Sequence, residues 1–190
     1  MGRVPGRAPA VPARERILSA AGELFAESGF AATPTSRIAA RADVPKGLIH
    51  YYFRRKPDLL VALVDRLPAE RVDLARIVVP GDVAATLRGL VAELDRGFES
   101  ALPLHHLLWR EADTHSAVRR ALRERFRAVV EQVHEVVAAA VPGPAGADVD
   151  TAAVLLARIV DHRHAVAGRA ERDDSADREI DFIARGLDPR

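Results

Sequence analysis

Apolar residues recur along this chain with the period of a helix almost from end to end. Ile17, Leu18, Ala21, Leu24 and Phe25 are spaced so that they form one buried stripe on a first helix beginning near Pro12–Ala13. Gly29 ends that helix as a left-handed cap, with Phe30 folded back onto its last turn. Thr33-Pro34 reads as a helix start, a hydroxyl N-cap followed by proline at the first helical position. This second helix runs to about Arg41 and turns Ile38 and Ala39 inward. Asp43 stands where the chain must bend sharply, and aspartate tolerates left-handed backbone better than most residues. Pro45 opens a third helix ending near Phe53, and Asp58 to about Leu67 forms a fourth.

The same period continues through Gly81–Glu99 and Leu102–Asp113. It then marks a long helix, Ser116–Ala140, with Val118, Leu122, Phe126, Val129, Val133, Val136 and Ala140 along one side. Pro142-Gly143-Pro144-Ala145-Gly146 interrupts the pattern, and helices at Val149–Gly168 and Ser175–Gly186 follow. No strand-like alternation of useful length occurs. The expectation is an all-α protein of about nine helices: a three-helix N-terminal head and a larger C-terminal helical bundle. Residues 1–12, rich in proline and arginine, are expected to be a flexible arm. Residues 13–57 then form the head, and 58–190 the body.

Charge separates these parts. Residues 1–56 carry ten basic and four acidic side chains, a balance of +6, whereas the remainder holds 18 basic and 23 acidic, a balance of −5. A basic head on an acidic body is expected where only one end meets a polyanion. The chain has no cysteine, which excludes disulfides and thiolate metal sites. No apolar run approaches the roughly 18 residues of a membrane span, and no signal-peptide core is present. A cytoplasmic protein with no membrane association is expected.

The chemistry concentrates in the head. The chain's two lysines, Lys46 and Lys56, bracket a segment holding His50, Tyr51 and Tyr52 and no acidic residue. Helix, tight turn and helix form the helix-turn-helix arrangement, in which the second helix of the pair lies in the major groove of DNA. Ile38, Ala39, Val44, Ile49 and Phe53 would form the small core that fixes the crossing angle, with Tyr52 also counted inside. On the outer face Lys46, Leu48 and His50 point toward base edges, and Tyr51 and Lys56 suit phosphate contacts. Gly47 lets the backbone approach the duplex closely. Thr33, with Thr35 beside it, would meet a phosphate at the second helix's N-terminus.

Residues 14–60 carry Arg-Glu-Arg-Ile-Leu near their start, Leu-Phe-Ala-Glu-Ser-Gly-Phe at 24–30, and Ala-Asp-Val-Pro-Lys-Gly-Leu-Ile-His-Tyr-Tyr-Phe at 42–53. In order and spacing this stretch resembles the N-terminal domain of the TetR family of transcriptional regulators. The resemblance implies a homodimer joined through its last two helices, mostly a repressor, which leaves a partly palindromic double-stranded DNA operator when a small molecule binds the body. The chain departs from the family pattern in places. Asp43 replaces the usual turn glycine, Pro45 stands where a serine often caps the recognition helix, Thr35 takes an apolar place, and Pro57 replaces a glutamate.

In the body, candidate effector-binding residues fall in two clusters. Phe98, His105 and Asp113 surround the only tryptophan, Trp109, and Arg158 and His162 lie on the penultimate helix. His162 and His164 are two apart and diverge by about 200° on a helix, so no metal site is expected. With no glycine-rich phosphate loop and no paired carboxylates in register, neither catalysis nor a cofactor is expected. The arginines at 119, 120, 123, 125 and 127 surround their helix and read as a solvated face. An alternative stands beside the effector-controlled regulator: a helical DNA-binding protein without a small-molecule effector, governed by a protein partner.

Overall fold

The computed structural model describes residues 11–68, 72–99, 101–141, 146–166 and 172–187. The expected arm with Arg3 and Arg7, the break at 142–145 and the side chain of His164 lie outside this description. Among the described residues the chain is all-α, with ten helices and no strand. They fall into two compact units that divide after Asp65.

In the first unit, α1 (Ala13–Ser28) buries Ile17, Leu18, Leu24 and Phe25. Gly29 ends the helix as expected, at φ 81 in the positive region that favours glycine. Its amide donates to the Phe25 carbonyl, although its ψ of 158 is not that of the left-handed helix. Phe30 does return to the helix, its ring 5.2 Å from that of Phe25 and edge-on. The next helices are α2 (Thr35–Arg41), α3 (Lys46–Tyr52) and α4 (Lys56–Val64). α2 starts two residues later than the Thr33 cap predicts, with Pro34 in the cap position. α4 starts before Asp58 because Asp58 accepts a hydrogen bond from the Arg55 amide at 2.9 Å, closing the first turn. α4 belongs to this unit rather than to the body. It packs on α1, where Gly22 leaves room for Leu63, whose Cδ2 is 3.5 Å from where a β-carbon would stand.

The second unit opens with α5 (Leu74–Ile77), a single turn capped by Asp73, which accepts from the Ala75 amide at 3.1 Å. Four residues are too few for periodicity to reveal, and the sequence reading misses this helix. Then come α6 (Val83–Glu99), α7 (Leu102–Ala112), α8 (Ser116–Ala140), α9 (Gly146–Val166) and α10 (Arg172–Leu187). The limits of α8 match the expected ones residue for residue. One core joins α6, α8, α9 and α10 through Leu87, Leu90, Val133, Val137, Leu156 and Ile180. Alanines 152, 153 and 157 are buried on α9, and such small side chains let α8 approach closely. Arg163 of α9 pairs with Asp95 of α6 at 3.2 Å. No helix among the described residues is long and apolar enough to cross a membrane.

Candidate functional site

The first unit presents α3 as an outward rod. Its orientation is set by the turn before it. Asp43 adopts φ 50, the left-handed region that the sequence assigns to this aspartate. That conformation lets the Val44 amide donate to the Ala39 carbonyl at 3.0 Å and the Asp43 amide to Ala40 at 3.3 Å, satisfying carbonyls at the end of α2. α3 follows with Pro45 as its cap (φ −59, ψ 139). Ile49 and Phe53 are buried with Ile38 and Ala39, so the opposite side must face out. Lys46, Gly47 and His50 are exposed there, Tyr51 is 78% exposed, and Leu48 is half-buried at the margin. Tyr52, expected in the core, is 40% exposed and stands edge-on to Tyr51 at 5.1 Å. Gly47 has no neighbour within 4 Å of where a β-carbon would lie. Nothing among the described residues therefore requires glycine at this helical position.

The cations of this unit divide sharply. Arg41 bridges Glu23 at 3.1 Å and Glu27 at 3.3 Å, and the hydrogen bond it donates to Glu27 leads the contacts that raise its pKa. Arg37 donates to Ser28 at 2.9 Å, Arg16 lies 3.7 Å from Asp43, and Arg55 lies 3.6 Å from Asp58. Lys46 and Arg54 are exposed and have no hydrogen bond or ion pair among the described residues. Arg54 was not singled out in the sequence. Its position one residue past Phe53 was the available signal.

Two expected contact residues are committed elsewhere. Thr33 is fully buried, and its hydroxyl reaches the Gly29 carbonyl at 2.8 Å and the Leu24 carbonyl at 3.2 Å. It fastens the end of α1 and is not available to a phosphate. The Lys56 ammonium donates to the Phe30 carbonyl and, at 3.3 Å, to Ala31, and it stands 4.3 Å from the centre of the Phe30 ring. That lysine holds the loop after α1 and does not reach outward. Thr35 is half-exposed at the first residue of α2.

In the second unit, Trp109, Arg158 and His162 line one open cleft of about 530 Å³, whose other walls include Arg123, Phe126 and Arg127 of α8. Phe98 and His105 are buried behind it, beside a much smaller cavity of about 20 Å³ that Trp109, Phe126 and Asp161 also border. Asp113 caps the end of α7, is exposed, and does not line the cleft. His105 accepts a hydrogen bond on Nε2 from the Trp109 indole N–H at 3.0 Å, and the same nitrogen lies 3.8 Å from Asp161. Its Nδ1 is buried with no hydrogen-bond partner among the described residues. The arginine run on α8 is not uniformly a solvated face. Arg125 is half-buried and donates to the Pro68 carbonyl, and burial lowers its pKa. Arg123 and Arg127, four residues apart beside Phe126, face the cleft. That i, i+4 spacing was the signal in the sequence.

Residues 17–63 match the family model described as bacterial regulatory proteins, tetR family. An HTH-type transcriptional repressor of Mycobacterium tuberculosis is 42% identical over 67 residues, covering 35% of this chain and 36% of that protein. The chain thus spans about a third of the length of these curated relatives. Among solved structures, Salmonella enterica GusR superposes with a TM-score of 0.71 at 21% identity, covering 95% of this chain and 97% of its own. The structure of SmeT in complex with triclosan gives 0.66 at 22% identity, covering 91% and 90%. At these identities the likeness speaks for the fold.

Proposed function

We propose that this chain, whose residues 17–63 match the model of the tetR family of bacterial regulatory proteins, is a cytoplasmic, homodimeric transcriptional repressor of that family, released from its operator by a small organic effector. The observation that carries the DNA-binding part is the outer face of α3. It has exposed Lys46, Gly47, His50 and Tyr51, no acid, and a buried side that fixes its direction. On this reading Lys46 and His50 meet base edges in the major groove, with Leu48 and Thr35 at the margins of the contact. Tyr51 and Arg54 meet phosphates and set the register.

Recognition of a partly palindromic site needs a second copy with its α3 one helical turn, or a multiple of it, away. A dimer through α9 and α10 is supported by two exposed apolar side chains. Phe182 of α10 is 69% exposed and Leu155 of α9 is 41% exposed, and both border the same shallow groove. Such a patch matched to its own copy makes a two-fold interface. The effector is read into the cleft of the second unit, between Trp109 and Phe126 on one hand and Arg158 and His162 on the other. The solved complex of SmeT with triclosan supports a small organic ligand in this fold. Such a ligand releases the operator only by the amount it prefers the conformation that does not bind DNA.

The test is selection of duplexes from a random pool by the full chain, then titration by fluorescence anisotropy. Enriched duplexes with two related half-sites are expected, and Lys46→Ala and Tyr51→Ala should weaken their binding without changing the melting curve. Variants that bind as well as the parent chain, or a pool that enriches nothing, would refute it.

A further inference from the structure

We propose that the cleft between α8 and α9 is selective for an organic anion, a carboxylate carried on an aromatic or similarly flat apolar body. This rests on the reading of that cleft as the effector site and adds the chemistry of what enters it.

The lining is unbalanced in hydrogen-bonding character. Arg123 and Arg127 stand on α8 and Arg158 on α9, so guanidinium groups border the cleft from both helices. None of the three has a hydrogen bond or ion pair among the described residues. Arg88, Arg96, Arg125 and Arg163 of the same unit are each held by a carboxylate or a carbonyl. Arg76, Arg119, Arg120 and Arg185, outside this cleft, share with the three the lack of such a partner among the described residues. Arginine donates and never accepts. The tryptophan adds no further donor, because its indole N–H is already given to His105 at 3.0 Å, and it offers the cleft ring surface. The one carboxylate in the lining, Asp161, lies 3.8 Å from His105 and pairs with none of the three arginines. A ligand that suits this wall supplies acceptors with negative charge at one end and apolar surface at the other. A carboxylate meets the first need through the paired, charge-assisted hydrogen bonds that guanidinium forms best. Trp109 and Phe126 meet the second, and a planar ring has the matching shape.

The protein carries its own probe, since Trp109 is its single tryptophan. Full-length protein is titrated with benzoate, salicylate, 2-naphthoate and indole-3-propionate, each against its own neutral amide. The readout is the melting temperature throughout and Trp109 emission for those probes that do not absorb or emit in its range. The expected result is saturable binding of at least one carboxylate, at least tenfold tighter than its amide. That preference should disappear in R123Q/R158Q, a variant of exposed side chains that leaves the core intact. Carboxylate and amide binding equally overturns the anion inference while leaving the cleft a ligand site. Retention of the preference in R123Q/R158Q overturns the assignment to these arginines. Absence of saturable binding for every acid and amide overturns the inference, and a neutral effector found by operator release and blocked by Trp109→Ala would then show that the cleft reading itself survives.

Discussion

Gly47→Ala is expected to stabilise the protein and to weaken it as a DNA binder, two effects of opposite sign from one methyl group. Gly47 lies within α3, and a β-carbon there would meet no described atom within 4 Å beyond its chain neighbours and its own helix backbone. In a helix interior alanine is favoured over glycine by about 0.5–1 kcal/mol. α3 has only seven residues and position 47 is near its start, so the lower figure applies. About 0.5 kcal/mol raises the melting temperature of a protein this size by about 1–2 °C. On DNA the same methyl intrudes where the backbone of α3 approaches the duplex. Loss of one or two hydrogen bonds at about 1 kcal/mol each lowers affinity by roughly fivefold to thirtyfold. The assays are thermal unfolding by circular dichroism and anisotropy titration of a selected operator at fixed salt. Undiminished affinity would refute the close approach, and a lowered melting temperature would refute the reading of Gly47 as free of internal constraint.

Arg54→Ala should reduce the slope of log affinity against log salt by about one, because one phosphate contact is lost. Lys56→Ala should leave that slope unchanged and lower the melting temperature, since its ammonium holds the Phe30 and Ala31 carbonyls; the reverse pattern would reinstate Lys56 as a phosphate contact. Thr33→Val should cost about 1–3 kcal/mol of stability by leaving the buried Leu24 carbonyl and the half-buried Gly29 carbonyl short of a donor, measured by urea unfolding, and a neutral outcome would count against that anchoring role. Phe182→Arg should halve the mass in sedimentation velocity with helix content unchanged, and a persistent dimer would move the interface elsewhere.

Much of the head was legible in sequence because its ends are written in residues with narrow backbone preferences. Pro34 and Pro45 stand at the starts of α2 and α3, and Asp43 takes the left-handed turn assigned to it. α8 was legible because 25 residues repeat one apolar spacing without a break. What periodicity cannot convey is which distant backbone a polar side chain will meet. Thr33 reads locally as an N-cap, yet its hydroxyl turns back to carbonyls four and nine residues earlier. Lys56 reads as a free cation until the loop 25 and 26 residues before it comes alongside. Arg123 and Arg127 are exposed as the reading of α8 expects, but only α9 and Trp109 of α7 make their surroundings a cleft. α4 falls in the body when the head is counted as three helices, whereas its partner is α1.

The central claim is that α3 of two copies reads the major groove at symmetric half-sites, and dimethyl sulfate protection on a selected operator addresses it most directly. Protection of guanine N7 in two half-sites separated by one helical turn or a multiple, lost in a Lys46→Ala, His50→Ala variant that still folds, is the predicted result. Protection confined to adenine N3 in the minor groove, a single protected site, or a pattern untouched by those substitutions would contradict the account.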